Sequence, residues 1–231
     1  MLSPAALLET WEAGARRHPV DRALLLLSLA GDTPPDALAD VPLGERNLGL
    51  MRMRQARFGD RLEVWADCGD CGARMSLELD ARDLPDGAGV AAEVEVRGHR
   101  FRRPTSRDLA SLAGAADAAA AARDLCRACA AAPEALPDGA PLEALIAEVE
   151  AALDAADPWA DLTLLAGCPA CGQENAVALD VPGILWDEVA ATSERLFDEV
   201  HALAAAYGWA ERDILGMSDA RRSAYIARLG A

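Results

Sequence analysis

Two short cysteine motifs, Cys68-Gly-Asp-Cys71-Gly72 and Cys168-Pro-Ala-Cys171-Gly172, constrain this chain more than any other part of it. Two intervening residues let the backbone double back so that both sulfurs of a pair face one ion, and a glycine after the second cysteine accepts the left-handed backbone such a turn requires. Four thiolates are the usual complement of a structural zinc site. The similarity runs beyond the cysteines: at an offset of 100, Leu62 matches Leu162, Ala66 matches Ala166, Leu77 matches Val177, Leu79 matches Leu179 and Asp80 matches Asp180. The pattern reads as two copies of a strand, knuckle, strand hairpin, with Cys68, Cys71, Cys168 and Cys171 holding one structural Zn2+ per chain.

Ordinary zinc ribbons place their halves about 15 to 20 residues apart. Here 96 residues lie between Cys71 and Cys168, so a folded insertion must separate the halves. Redox dithiols, disulfides and plain buried cysteines are the competing readings. A redox pair is expected at a helix N-terminus beside a βαβ pattern, whereas both pairs here sit between strands. A disulfide framework suits secreted chains, and Met1 to Arg17 shows none of the basic start, apolar run and small-residue cleavage site of a secretory leader. The third pair, Cys126-Arg-Ala-Cys129, lies in an alanine-rich run without a following glycine. Helical spacing would let those two thiols share a metal, but two buried small apolar residues is the simpler reading.

Composition narrows the function classes. Of 231 residues 52% are hydrophobic, enough for a substantial core in one elaborate domain or two small ones. All 22 basic residues are arginine, which excludes lysine catalysis, and the formal charge of −16 disfavours a broad phosphate-binding surface. The densest basic patch is Arg46, Arg52, Arg54 and Arg57. The apolar run at 23–30 is too short to span a bilayer, which needs about 20 residues. A cytoplasmic protein with reduced thiols, no membrane and no small-molecule substrate is the resulting expectation.

Periodicity predicts helices at about 4–17, 20–29 and 44–57, with a loop at 31–42, and strands at 61–66 and 73–79 around the first knuckle. A turn cluster at 83–89 leads to a hairpin of 90–96 and 99–102. Thr105 or Ser106 caps the start of an alanine-rich helical region, followed by a helix at 142–156. Strands at 161–166 and 176–181 flank the second knuckle. A long apolar stripe from Leu185 to Tyr207 predicts one helix ending at Gly208, then a short turn at 211–215 and a last helix capped by Ser218. The fold class is α+β: a split zinc-ribbon-like β core (58–103 and 158–181), an N-terminal helical region (1–57), a helical insertion (104–157) and a C-terminal helical region (182–231).

Enzyme signals are weak. The chain has no glycine-rich phosphate loop, no Gly-x-Ser-x-Gly elbow and no His-Glu-x-x-His. Zinc nucleoside deaminases pair a Cys-x-x-Cys with His-x-Glu, and none of the three histidines is followed by Glu two residues later. A helix-turn-helix at the C-terminus would present Arg221, Arg222 and Arg228, offset by Asp213 and Asp219.

Several stretches together resemble the baseplate hub assembly proteins of T-even-like phages, which have relatives in contractile tails and contractile injection systems. They are Pro42-Leu-Gly-Glu-Arg46 leading to Phe58-Gly-Asp60, the two knuckles, Phe101-Arg-Arg-Pro-Thr-Ser-Arg-Asp-Leu109, Leu196-Phe-Asp-Glu-Val-His-Ala-Leu-Ala-Ala-Ala-Tyr-Gly-Trp209, Asp213-Ile-Leu-Gly-Met-Ser218 and Arg221-Arg222. Cys168-Pro-Ala-Cys171 fits that family's Cys-Pro-x-Cys knuckle, and Cys68-Gly-Asp-Cys71 departs from it. The resemblance implies a non-enzymatic factor that helps assemble the central hub of a contractile baseplate, with hub proteins as partners. It is a chaperone or a component retained in the particle; a zinc-ribbon adaptor for nucleic-acid machinery is the competing binding module. In such a factor His201, Tyr207, Trp209 and Ile214 contribute to partner binding or its support, or else Tyr207, Trp209 and Ile214 simply pack against the long helix.

Overall fold

The chain was analysed as a computed structural model that describes residues 3–31, 33–87 and 91–229. The first two helices, α1 (Pro4–Gly14) and α2 (Pro19–Ser28), each begin with a proline behind a side-chain cap, Ser3 accepting from the Ala6 amide and His18 from the Val20 amide. The 31–42 segment, expected as loop, holds one helical turn, α3 (Pro35–Leu38), because Pro35 supplies helical φ at the first position. The next helix, α4 (Leu43–Phe58), stops at Gly59, whose φ of 89° lies outside the helical range.

Strands β1 (Arg61–Asp67) and β2 (Arg74–Asp80) form the first knuckle hairpin. A second hairpin joins β3 (Glu93–Val96) and β4 (His99–Arg102); the expected start of β3 at Val90, and the end of the preceding turn cluster at 88–89, lie outside the described residues. Three helices follow: α5 (Ser106–Ser111), opened by a reciprocal Thr105–Asp108 capping box, α6 (Ala118–Cys129) and α7 (Ala140–Ala156). Strands β5 (Thr163–Gly167) and β6 (Glu174–Ala178) form the other knuckle hairpin. The 27-residue α8 (Val181–Tyr207) ends at the left-handed Gly208, and α9 (Glu211–Leu215) and α10 (Asp219–Ile226) fold back beside it.

The internal repeat holds at the level of backbone pairing. In the first hairpin Val64 faces Leu77, Ala66 faces Met75 and Asp67 faces Arg74; in the other, Leu164 faces Val177, Ala166 faces Asn175 and Gly167 faces Glu174. All five pairs of the β5–β6 hairpin repeat the β1–β2 register at an offset of 100, so the two segments are the same structural unit. Among the described residues the strands form three separate two-stranded antiparallel sheets. Isolated hairpins are marginal in water, and both knuckle hairpins are supported by one core. Leu62, Val64 and Met75 of the first, with Leu162, Val177 and Leu179 around the other, pack among Leu7, Leu26, Leu50, Met51, Leu185, Val189 and Leu196 of the surrounding helices.

A smaller core belongs to the insertion: Phe101, Cys126, Leu136, Leu142, Leu145, Ile146 and Val149, with Val94 and Val96 against it. The β3–β4 hairpin therefore packs with α6 and α7, although its position in sequence groups it with the knuckle hairpins at 58–103. Its strands are four residues long, and Val94, Val96 and Phe101 occupy one face, so its apolar surface is buried on one side, against the insertion's helices.

A polar junction holds the two cores together. Arg103, 8% exposed, reaches Asp157 at 3.3 Å and also pairs with Glu45; Asp157 is 2% exposed. Arg46 donates to Asn47 and Ser106, and Asn47 in turn donates to the Trp159 carbonyl at 2.8 Å. Burial lowers the pKa of Arg46 to about 10, which leaves it cationic near neutral pH. The Leu43 amide donates to the Pro104 carbonyl, so the segments after Pro42 and after Phe101, far apart in sequence, meet at one seam.

Candidate metal centre

Each knuckle is built by the same two backbone bonds. The Cys68 amide donates to the Ala73 carbonyl and the Gly72 amide to the Cys68 carbonyl, both at 2.9 Å; the Cys168 amide donates to the Gln173 carbonyl at 2.8 Å and the Gly172 amide to the Cys168 carbonyl at 2.9 Å. Closing those turns requires a positive φ after the second cysteine, supplied by Gly72 at 71° and Gly172 at 78°. Each strand pair thereby delivers one buried and one exposed thiol: Cys68 and Cys168 are each 3% exposed, while Cys71 and Cys171 face solvent.

The two knuckles face each other, and the four sulfurs lie within 4.8 Å of one another. Sulfurs of opposite hairpins approach one another, Cys68 to Cys171 and Cys71 to Cys168, both at 3.7 Å. That is far beyond a disulfide bond of about 2.05 Å. It matches the edge of a tetrahedron of sulfurs each about 2.3 Å from a central ion, which is about 3.8 Å. The donor set thus fits one four-coordinate, thiophilic ion.

Protonation follows from the crowding. The backbone amides of Cys71 and Asp70 favour the Cys68 thiolate and draw its pKa down to about 6 despite burial. At Cys171 the Gln173 amide also favours the thiolate, but burial and the neighbouring thiols outweigh it and push the group up to about 12. Cys71 is raised for the same reason: the Ala73 amide and Cys171 favour its thiolate, while Cys68, burial and Cys168 oppose it more strongly. Without a cation, adjacent thiolates repel, so Cys68 ionises most readily while Cys71 and Cys171 hold their protons.

The remaining sequence candidates fall elsewhere. Cys126 and Cys129 are buried in the insertion, their thiols raised by burial, Cys129 to about 11. They behave as small apolar side chains and lie outside the four-sulfur cluster. His201 is exposed on α8, Tyr207 is 38% exposed and Ile214 is wholly buried. Tyr207 stacks on Trp209 with centroids 4.6 Å apart, and Tyr225 packs edge-on to Trp209 at 4.8 Å. Of the four arginines in the basic stretch, Arg46 and Arg54 are buried. Arg54 donates to the Gly59 and Arg61 carbonyls and to Glu188, all at 2.7 Å. The densest basic patch of the sequence is therefore partly internal, because charge is legible in a sequence and its buried partner is not.

An open groove of about 780 Å3 beside β1 and β2 is lined by Arg54, Arg61, Glu63, Glu78, Asp80 and Glu188 among others. Its Glu188 pairs with Arg54 and its Asp80 with Arg82. Among the described residues no helix is long and apolar enough to cross a membrane. No protein-family model, no curated protein and no solved structure matches this chain.

Proposed function

We propose that this chain is a non-enzymatic assembly factor whose two knuckle hairpins form a split zinc ribbon around one structural zinc ion. The observation that carries this reading is the convergence of four sulfurs, from hairpins 100 residues apart, within 4.8 Å of one another. An all-sulfur set selects zinc, copper(I) or an iron–sulfur centre. So tight a cluster suits a single ion better than a multi-iron cluster, whose cysteines are spread around a larger core.

Zinc bound here would offset half of the charge of four thiolates and tie the two halves together. Cys68, Cys71, Cys168 and Cys171 fill all four positions, which leaves none for an activated water and makes the role structural. The residues around them supply rigidity: the hairpins share their core with α1, α2, α4 and α8, and Arg103, paired with both Asp157 and Glu45, fastens the insertion to α4. Such a body works by presenting surface to other proteins.

The client comes from the sequence resemblance: hub proteins of a contractile baseplate, in a phage tail or an injection system. The Tyr207, Trp209 and Tyr225 cluster, with exposed His201 farther back along α8, is the surface assigned to that contact, with buried Ile214 as its support. Burial of Arg46 and Arg54 weighs against the nucleic-acid adaptor, which would need them on phosphates. Native mass spectrometry of the chain co-expressed with hub proteins of a contractile baseplate tests the assignment. A defined complex with one zinc per copy is expected; a zinc-loaded chain that ignores every hub protein would overturn the client.

A further inference from the structure

The two halves of the repeat differ at one position that touches the sulfurs. At an offset of 100, Asn175 on β6 corresponds to Met75 on β2, in the same register opposite Ala166 and Ala66. Met75 points into the core and is 2% exposed. Asn175 instead reaches across to the other knuckle. Its Oδ1 accepts from the Gly69 amide at 2.9 Å, and its Nδ2 donates to the Gln173 carbonyl at 2.9 Å and faces the Cys68 sulfur at 3.5 Å.

Those partners fix the orientation of the amide. An acceptor must face the Gly69 N–H and a donor must face the Gln173 carbonyl, so Nδ2 and not Oδ1 lies against Cys68. The Gln173 carbonyl also receives the Cys168 amide that closes the second knuckle. Asn175 is therefore bonded to the closing turn of one knuckle and to the first turn of the other. Met75 has no donor with which to do the same for Cys168.

We infer that Asn175 is a positioning residue for the metal centre: its side-chain N–H donates to the Cys68 sulfur and holds the first knuckle, the one that lacks proline, against the second. This rests on the zinc reading above. A proline at position 169 stiffens the second knuckle, whereas the first has Gly69 at the equivalent place and takes its order from the Asn175 contact. Donors to the ligands of a metal typically change its affinity 10- to 100-fold when lost.

The test compares wild type, N175A and N175D, each loaded with one zinc, by the rate of zinc transfer to a chromophoric chelator, with the thiolate-to-metal absorption of the Co2+-substituted forms as a second readout. N175A is expected to release zinc about 10-fold faster or more, with a shifted Co2+ spectrum and a cooperative thermal melt. N175D keeps the acceptor for Gly69 but loses the donor and brings a negative charge to Cys68, so it is expected to lose at least as much. Wild-type release from N175A, or full rescue by N175D, would overturn the donor role while leaving the zinc site intact. Wild-type protein that takes up no metal would overturn the zinc reading, and the role of Asn175 with it.

Discussion

At the scale of single residues, the site depends on four sulfurs of unequal exposure. Cys68→Ser and Cys168→Ser each remove a buried ligand, and each is expected to reduce zinc from one ion per chain to a small fraction of that by elemental analysis; unchanged metal content would show that the thiols are not the ligands. A different residue-level constraint sits at Gly44, where a Cβ would lie 1.7 Å from an Asp157 carboxylate oxygen. Asp157 is buried and held by Arg103, so Gly44→Ala is expected to cost about 2 kcal/mol or more in denaturant unfolding. The cysteines were legible in the sequence because their spacing, their glycines and the offset of 100 are all covalent facts. Asn175 was not, because its role departs from the repeat: aligned with Met75 it reads as an unrelated strand residue, and only the facing of the knuckles brings it to Cys68.

At the scale of elements, Arg103, paired with Asp157 at the end of α7 and with Glu45 of α4, joins the insertion to the helices of the larger core. Asp157→Ala leaves a buried guanidinium with Glu45 as its remaining carboxylate partner and is expected to lower unfolding stability by about 3 kcal/mol; a change below about 0.5 kcal/mol would show that the junction carries no net stability. The helices were read from apolar stripes and caps, and the long α8 with its Gly208 stop, the Glu211–Leu215 turn and the Ser218 cap follow the pattern closely. The placement of β3–β4 was not legible. Sequence proximity joins it to the first knuckle, while its single apolar face is satisfied by α6 and α7, and pairing preferences between faces leave no local signature. The one helical turn at Pro35 was hidden for a related reason: prolines mark loops and first turns of helices alike.

At the scale of the whole molecule, the proposed ion would close a chain whose two cysteine pairs lie 96 residues apart, and the insertion has its own core. Chelation is therefore expected to loosen the β1–β2 and β5–β6 hairpins, seen as lost amide protection, while α6 and α7 keep theirs. Uniform loss across the chain would contradict the separation of the two cores. Metal binding is also linked to protons. Near neutral pH Cys171, pushed up to about 12, and Cys71, raised above its usual value, hold protons that zinc must displace. Calorimetric titration in buffers of different ionisation enthalpy is expected to show release of about two protons or more, with affinity rising as pH rises. Release of none would mean that the ion does not bind through these thiols. The most direct test of the zinc-stapled fold is native mass spectrometry of the wild-type chain purified without chelator. One zinc per chain is the expected mass; a metal-free folded chain, or an ion held only between two chains, would contradict a site closed by Cys68, Cys71, Cys168 and Cys171 within one molecule.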